Sequence, residues 1–125
     1  MELSDQSRVW NRAALDAGGE APLQGDAALA ALLALHGMIM NGGIDHALEV
    51  LDVAEFADGI AAFRYFGLDE AACVLEAATQ ADIGLELLNS KYGALIPDDG
   101  ALVTAFEKKY AASPDVFAAL EDENA

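Results

Sequence analysis

Apolar residues recur along this chain at three- and four-residue steps, the spacing that places side chains on one face of an α-helix. The clearest run is Leu32–His46, which ends in Asn41-Gly42-Gly43 and restarts with Ile44-Asp45-His46. Two glycines after an Asn supply the positive-φ positions of a helix C-cap, and Asp45 suits the first turn of a new helix. We therefore predict a central apolar helix, a sharp structural corner at Asn41, Gly42 and Gly43, and an acidic helix after it.

The remaining pattern also divides into helices. Ser4 is predicted to cap a first helix to about Ala17, a loop covers Glu20–Gly25, and Asp26 is predicted to cap the central helix, Ala27–Met40. The later predicted helices are Ile44–Leu51, Glu55–Phe66, Asp69–Ala78, Ile83–Gly93, one opened by Pro97-Asp98-Asp99, and Pro114–Leu120. No segment alternates with period two over strand length.

This pattern predicts an all-α protein, a single compact domain of six to seven helices around the central apolar helix. Within the domain 1–125, residues 1–25 form an N-terminal helix and loop, 26–120 a helical core and 121–125 an acidic tail. The 54% share of hydrophobic residues is well above that of a disordered acidic chain, so we expect the protein to fold.

The charge balance limits the classes of partner that this protein can bind. The formal net charge is −16, from 22 acidic residues against 6 Lys and Arg. Such a surface repels nucleic acid and anionic membrane, so we expect no direct binding to either. A basic protein partner fits this charge, and so does an acidic soluble protein without such a partner.

The composition also bears on the compartment. The single cysteine, Cys73, excludes an internal disulfide and a cysteine-based zinc site. The first residues lack the basic and apolar regions of a signal peptide, and the uncharged run Ala27–Met40, 14 residues long, is too short to span a bilayer. We therefore expect a cytoplasmic location.

A row of acids follows the predicted corner. Asp45, Glu49 and Asp52 are spaced i, i+4, i+7 and share one helix face, while no Lys or Arg occurs between Arg12 and Arg64. Because duplex DNA carries one phosphate charge per roughly 1.7 Å of axis, such a row can imitate part of a phosphate track. The alternative is a solvated face without a partner. The predicted partner-binding residues are Asp45, Glu49, Asp52, Glu55, Asp58, Asp69 and Glu70.

The histidines offer little for catalysis. His46 stands beside Asp45 and one turn from Glu49, but this spacing matches no named metal motif, and a surface histidine near carboxylates explains it as well. His36, inside the apolar helix, is expected to be a core histidine bonded to an acceptor. We predict no catalytic residue, no metal and no cofactor.

Several stretches in order resemble a small bacterial family of all-helical proteins, best known from an acidic DNA-mimic protein. The matching features are the Asn41-Gly42-Gly43 corner, Phe66-Gly67, and a late segment running from Tyr92 through Pro97-Asp98-Asp99 to Ser113-Pro114-Asp115-Val116-Phe117. Ile44 stands where the family commonly has an aromatic residue, and His46 where it has a Gln. The resemblance covers about Ala27–Leu120.

The resemblance implies a helical fold, a homodimer and, for some members, binding to a transcription factor in place of DNA. Together with the charge, it predicts a non-enzymatic protein that binds a basic DNA-binding protein through its carboxylates. The alternative is a specific protein-binding module, such as a toxin-neutralising immunity protein, held by shape and apolar contact. An enzyme using His46, Asp45 and Glu49 is a third possibility, and it requires a bound metal.

Overall fold

The computed structural model describes residues 4–80 and 84–120, and the elements in these ranges are helical throughout, which confirms the all-α prediction. In chain order the α-helices are α1 (Asp5–Asp16), α2 (Gln24–Val50), α3 (Val53–Tyr65), α4 (Asp69–Ala77), α5 (Leu85–Leu95) and α6 (Gly100–Ala112). The predicted last helix is only a 3-10 turn, Pro114–Val116. The predicted residue Ile83 and the acidic tail 121–125 lie outside the described residues.

The central helix of the fold is α2, as the pattern predicted. Leu29, Leu32 and Leu35 on its inner face are fully buried, and α1, α3 and α5 all pack against it. The aromatic core forms beside it, where the rings of Phe63 and Tyr92 meet edge to face at 6.0 Å. By length and composition alone α2 could cross a bilayer, a property that it shares with core helices of globular proteins.

The start of α2 differs from the prediction. The N-cap is Leu23, and Asp26 is the third helical residue, so the helix begins before Asp26 rather than after it. The Asp26 carboxylate still serves the helix start, because Oδ2 accepts a hydrogen bond from the Leu23 N–H at 3.0 Å. A carboxylate near a helix N-terminus is stabilised by the free N–H groups there, whichever of the first positions it occupies.

The predicted corner is a kink in one continuous helix rather than a stop between two. Only Gly43 leaves the helical conformation, with φ 89° and ψ 176°, while Asn41 and Gly42 continue the helix. The kink frees the N–H of Ile44, which donates to Oδ1 of Asn89 on α5 at 2.8 Å. The acidic segment Ile44–Val50, which we call the α2 tail, thus leaves the core helix at an angle fixed by α5.

Replacing Gly43 with alanine is expected to lower the free energy of unfolding by about 2 kcal/mol, because this backbone region is open almost only to glycine. An added Cβ would also stand 2.7 Å from Oδ1 of Asp45. Urea denaturation followed by circular dichroism measures the change. The matched control is Gly93→Ala, in the exposed face of α5 with nothing within 4 Å, where we expect no loss. Equal stability of the two variants would contradict the kink.

Helix α3 folds back along α2, and its ends are set by local sequence. At its start Asp52 Oδ1 accepts from the Glu55 N–H at 2.7 Å, and Glu55 Oε1 accepts from the Asp52 N–H at 3.0 Å, a reciprocal capping box. At its end Gly67 has φ 79°. Helix α6 begins at Gly100 with Asp99 as its N-cap, directly after the predicted Pro97-Asp98-Asp99 start.

Candidate functional site: the carboxylate surface

The α2 tail presents two of the predicted carboxylates. Asp45 and Glu49 are exposed and stand one helical turn apart, while Ile44, just before Asp45, and Ala47, between the two acids, are buried. Burial of those two apolar side chains fixes the rotation of the tail, so that its acidic face is turned to solvent. The predicted common helix face is therefore correct for this pair but wrong for Asp52, because α2 ends at Val50 and Asp52 is the N-cap of α3.

Three more carboxylates follow on the first two turns of α3. Asp52, Glu55 and Asp58 are all exposed. The capping box uses one oxygen of Asp52 and one of Glu55, and it leaves the second oxygen of each carboxylate without a hydrogen bond from that box. These two side chains are consequently held in one orientation, whereas Asp58 has no such restraint in the described contacts. We call Asp45, Glu49, Asp52, Glu55 and Asp58 the carboxylate strip.

Asp69 and Glu70 do not continue this strip. They open α4, after the far end of α3, and the seven residues of α3 that follow Asp58 span about 10 Å. They line a shallow depression together with Lys91 and Cys73, so a positive charge lies close to them. Cys73 is exposed there. The extension of the predicted site to Asp69 and Glu70 thus describes a second, separate acidic spot.

The negative charge of the strip is not neutralised by the ion pairs of the described residues. Among the described residues, the ion pairs are Arg12 with Asp26 and Arg64 with Glu76, and His36 hydrogen-bonds to Asp99; none of these contacts includes a member of the strip. Five exposed carboxylates on two consecutive elements therefore add to one negative field. Exposed charges of one sign attract a basic partner over roughly 8 to 10 Å at physiological salt.

His46 adds no metal site to the strip. It is half-buried on the α2 tail, and its Nε2 lies 3.5 Å from Nδ2 of Asn41, at the limit of a hydrogen bond. Within residues 4–80 and 84–120, no three His, Cys, Asp or Glu side chains come together in a way that could hold a metal ion. The spacing of His46 with Asp45 and Glu49 is explained by the helix alone.

His36 is the buried, hydrogen-bonded histidine that the sequence predicts. Its Nε2 lies 2.8 Å from Oδ1 of Asp99, and its Nδ1 lies 2.7 Å from the hydroxyl of Tyr92. A carboxylate accepts, so Nε2 carries the proton and Nδ1 accepts from the tyrosine. Burial raises the pKa of Tyr92 above its ordinary value, which keeps this hydroxyl protonated as a donor.

This Tyr92–His36–Asp99 chain has catalytic residue types but lacks access. The side chains of His36 and Tyr92 are both buried, and only Asp99 reaches the surface. General acid and base chemistry requires a donor or acceptor within hydrogen-bond reach of a substrate. The chain instead joins α2, α5 and the start of α6, which makes it a structural connection.

An apolar groove that the sequence pattern does not predict lies directly beside the carboxylate strip. Its volume is about 980 Å³, and Asp52 belongs both to its rim and to the strip. One wall is a stripe on α3 formed by Val53, Ala57 and Ala61 above the buried Phe56 and Ile60. The groove arises from how the α2 tail, α4 and α5 surround α3, which local periodicity does not report.

Comparison of the chain with models of known protein families, with curated proteins and with solved structures gave no match. The functional argument therefore depends on the geometry and the charge of the surface described above.

Proposed function

We propose that this protein is a non-enzymatic, acidic binding protein that occupies a basic DNA-binding protein by presenting carboxylates where that protein expects phosphates. The observation that carries the proposal is the carboxylate strip: five exposed carboxylates on two consecutive elements, outside the ion pairs of the described residues. The net charge of −16 and the resemblance to acidic DNA-mimic proteins support it. Homodimerisation and a cytoplasmic location belong to the same proposal.

The strip is suited to this role because part of it is preorganised. The capping box holds Asp52 and Glu55 before any partner arrives, so little side-chain entropy is lost when a lysine or arginine meets them. Helical spacing places neighbouring carboxylates about 5 to 6 Å apart, which allows adjacent basic side chains to be engaged together. Such an interface gains its association rate from charge and weakens with salt.

Replacing Asp45, Glu49 and Asp58 with their amides is expected to weaken binding of the DNA-binding partner about tenfold, since each exposed charge pair contributes about 0.5 kcal/mol. Asp52 is left in place because its carboxylate caps α3, and its loss would lower stability by about 1 kcal/mol. The partner is captured on the immobilised full chain from bacterial lysate. Its affinity for each variant is then measured with increasing salt and with competing duplex DNA.

The control variant removes three exposed carboxylates elsewhere, by Glu20→Gln, Glu107→Gln and Asp115→Asn, so that both triple variants have the same net charge. We expect the control to bind within twofold of the unchanged chain. Equal weakening in both variants would show that total charge decides binding, and the strip would lose its assignment. A captured protein that resists both salt and duplex DNA would contradict mimicry.

The apolar groove favours a second candidate, a specific protein-binding module of the immunity-protein kind. Interfaces centred on apolar pockets derive their affinity from buried side chains rather than from long-range charge. Binding of that kind persists at high salt, whereas binding by the strip alone does not. The same salt titration therefore separates the two candidates.

A further inference from the structure

The length and the lining of the apolar groove fit one α-helix. The positions of α3 that line it are Val53, Phe56, Ala57, Ile60, Ala61 and Arg64. They recur at steps of three and four, the pattern by which one helix packs against another. From first to last they cover 12 residues, and the 11 steps between them span about 17 Å, the length of three helical turns.

Exposed apolar side chains at the mouth of the groove indicate an unfilled contact surface. Val53 is 88% exposed, although it borders the buried Phe56. Leu51 and Leu85 form part of the walls. A helix laid into the groove would remove this apolar surface from water, which is favourable in proportion to the area buried.

The charges around the groove select the kind of helix. Asp52 stands at one end of the lining and Glu76 at the other, and Glu49 and Glu55 of the strip adjoin the Asp52 end in sequence. The one basic residue of the lining, Arg64, is paired with Glu76. An apolar floor with carboxylates at its Asp52 end is complementary to a helix with an apolar stripe and basic residues at the end that meets them. A second copy of this chain, at a net charge of −16, matches this acidic rim less well than a basic helix does.

We propose that the groove binds a basic amphipathic helix of the partner, whose apolar stripe packs on α3 while its lysines and arginines meet the carboxylate strip at the Asp52 end. This inference rests on the proposed function and adds the recognition element of the partner to it. The strip then contributes long-range attraction and the groove contributes specificity, because only the groove distinguishes a helix with an ordered apolar stripe from any other polycation.

The test uses two synthetic peptides of 18 residues made of leucine and lysine in equal composition. In one, the leucines recur at i, i+3, i+4 and i+7, and in the other they are scattered around the helix. Binding to the full chain is measured by fluorescence anisotropy at low and high salt. We expect the amphipathic peptide to bind at least about tenfold more tightly than the scattered peptide.

Variants of the chain locate the site. Val53→Ser combined with Ala57→Gln changes two exposed positions of the groove wall, and it is expected to reduce the affinity for the amphipathic peptide to that for the scattered one. The matched control is Leu15→Ser, since Leu15 on α1 is 86% exposed and lies outside the groove lining. This control is expected to leave the affinity for the amphipathic peptide unchanged. Circular dichroism confirms that each variant is folded.

The outcomes separate this inference from the proposed function. If both peptides bind equally and lose affinity with salt and with the amides of Asp45, Glu49 and Asp58, the strip operates and the groove inference is overturned. If the amphipathic peptide keeps its advantage only with Val53 and Ala57 intact, the inference stands. Binding of a leucine–glutamate peptide of the same pattern, or displacement of the amphipathic peptide by dodecanoate, would overturn the basic-helix occupant.

Discussion

Asp26→Ala is expected to lower the free energy of unfolding by about 4 kcal/mol, within the range for breaking a buried ion pair by removing one partner. The Asp26 side chain is fully buried, and Oδ1 accepts from Nη2 of Arg12 at 2.8 Å. Oδ2 accepts from the backbone N–H of Leu23 at 3.0 Å and of Ala118 at 2.6 Å. Alanine leaves all three donors without this acceptor, and buried unpaired donors are costly.

Urea denaturation of the unchanged chain and of Asp26→Ala measures this loss. The expected loss is large compared with the free energy of unfolding of a typical domain, which is about 5 to 15 kcal/mol. Asp26→Asn should give an intermediate loss of about 2 kcal/mol, because its amide keeps one accepting oxygen. Asp58→Asn, an exposed aspartate, is the control and should stay within about 0.5 kcal/mol. A loss below about 1 kcal/mol for Asp26→Ala would contradict the buried arrangement.

A double-mutant cycle with Arg12 tests the same arrangement further. Arg12 also donates to the carbonyl oxygens of Ala118 and Ala119, so its guanidinium has partners besides Asp26. We expect the loss in the Arg12→Ala, Asp26→Ala double variant to be smaller than the sum of the two single losses, because the second change no longer strands a charge.

Gly59→Val is expected to lower the free energy of unfolding by about 3 kcal/mol, the upper part of the usual range for overpacking a core. Gly59 is buried where α3 crosses α2, and a Cβ at this position would stand 2.5 Å from Cδ2 and 2.8 Å from Cβ of Leu35. The Cβ of Leu35 is fixed to the α2 backbone, so the side chain alone has no way to move aside. The two helices must separate.

Gly37→Ala is the matched control for this prediction. Gly37 lies on the exposed side of α2 with nothing within 4 Å of an added Cβ, so the better helix propensity of alanine should raise stability by about 0.5 to 1 kcal/mol. Denaturation midpoints compare the three proteins, and a Gly59→Val protein as stable as the unchanged chain would refute the close contact.

Local periodicity predicts the helices of this chain well because each helix carries its own apolar face. It predicts their ends less well. Gly43 was identified as a breaker, yet the helix continues through Asn41 and Gly42, because a single non-helical residue is enough when Asn89 satisfies the freed N–H. The acceptor lies 45 positions further along the chain, and such partners are invisible to a local pattern.

The candidate site also has features that the sequence predicts and features that it does not. Exposure of Asp45 and Glu49 follows from helical spacing, and so it could be predicted. The separation of Asp69 and Glu70 from the strip depends on the length and direction of α3, and the apolar groove depends on three elements that surround it. His36 was predicted to be a bonded core histidine, but its partner Asp99 is 63 positions away and was predicted only as part of a helix start.

The arrangement around Asp26 also has a consequence for the order of folding. Its carboxylate joins the beginning of α2 to Ala118, a contact of sequence separation 92, and Arg12 reaches Ala118 across 106 positions. Closing chain segments of this length is slow compared with forming a helix. During synthesis the carboxylate must stay hydrated until residue 118 is available, so helices α1 to α5 assemble around a charge whose burial is among the last events.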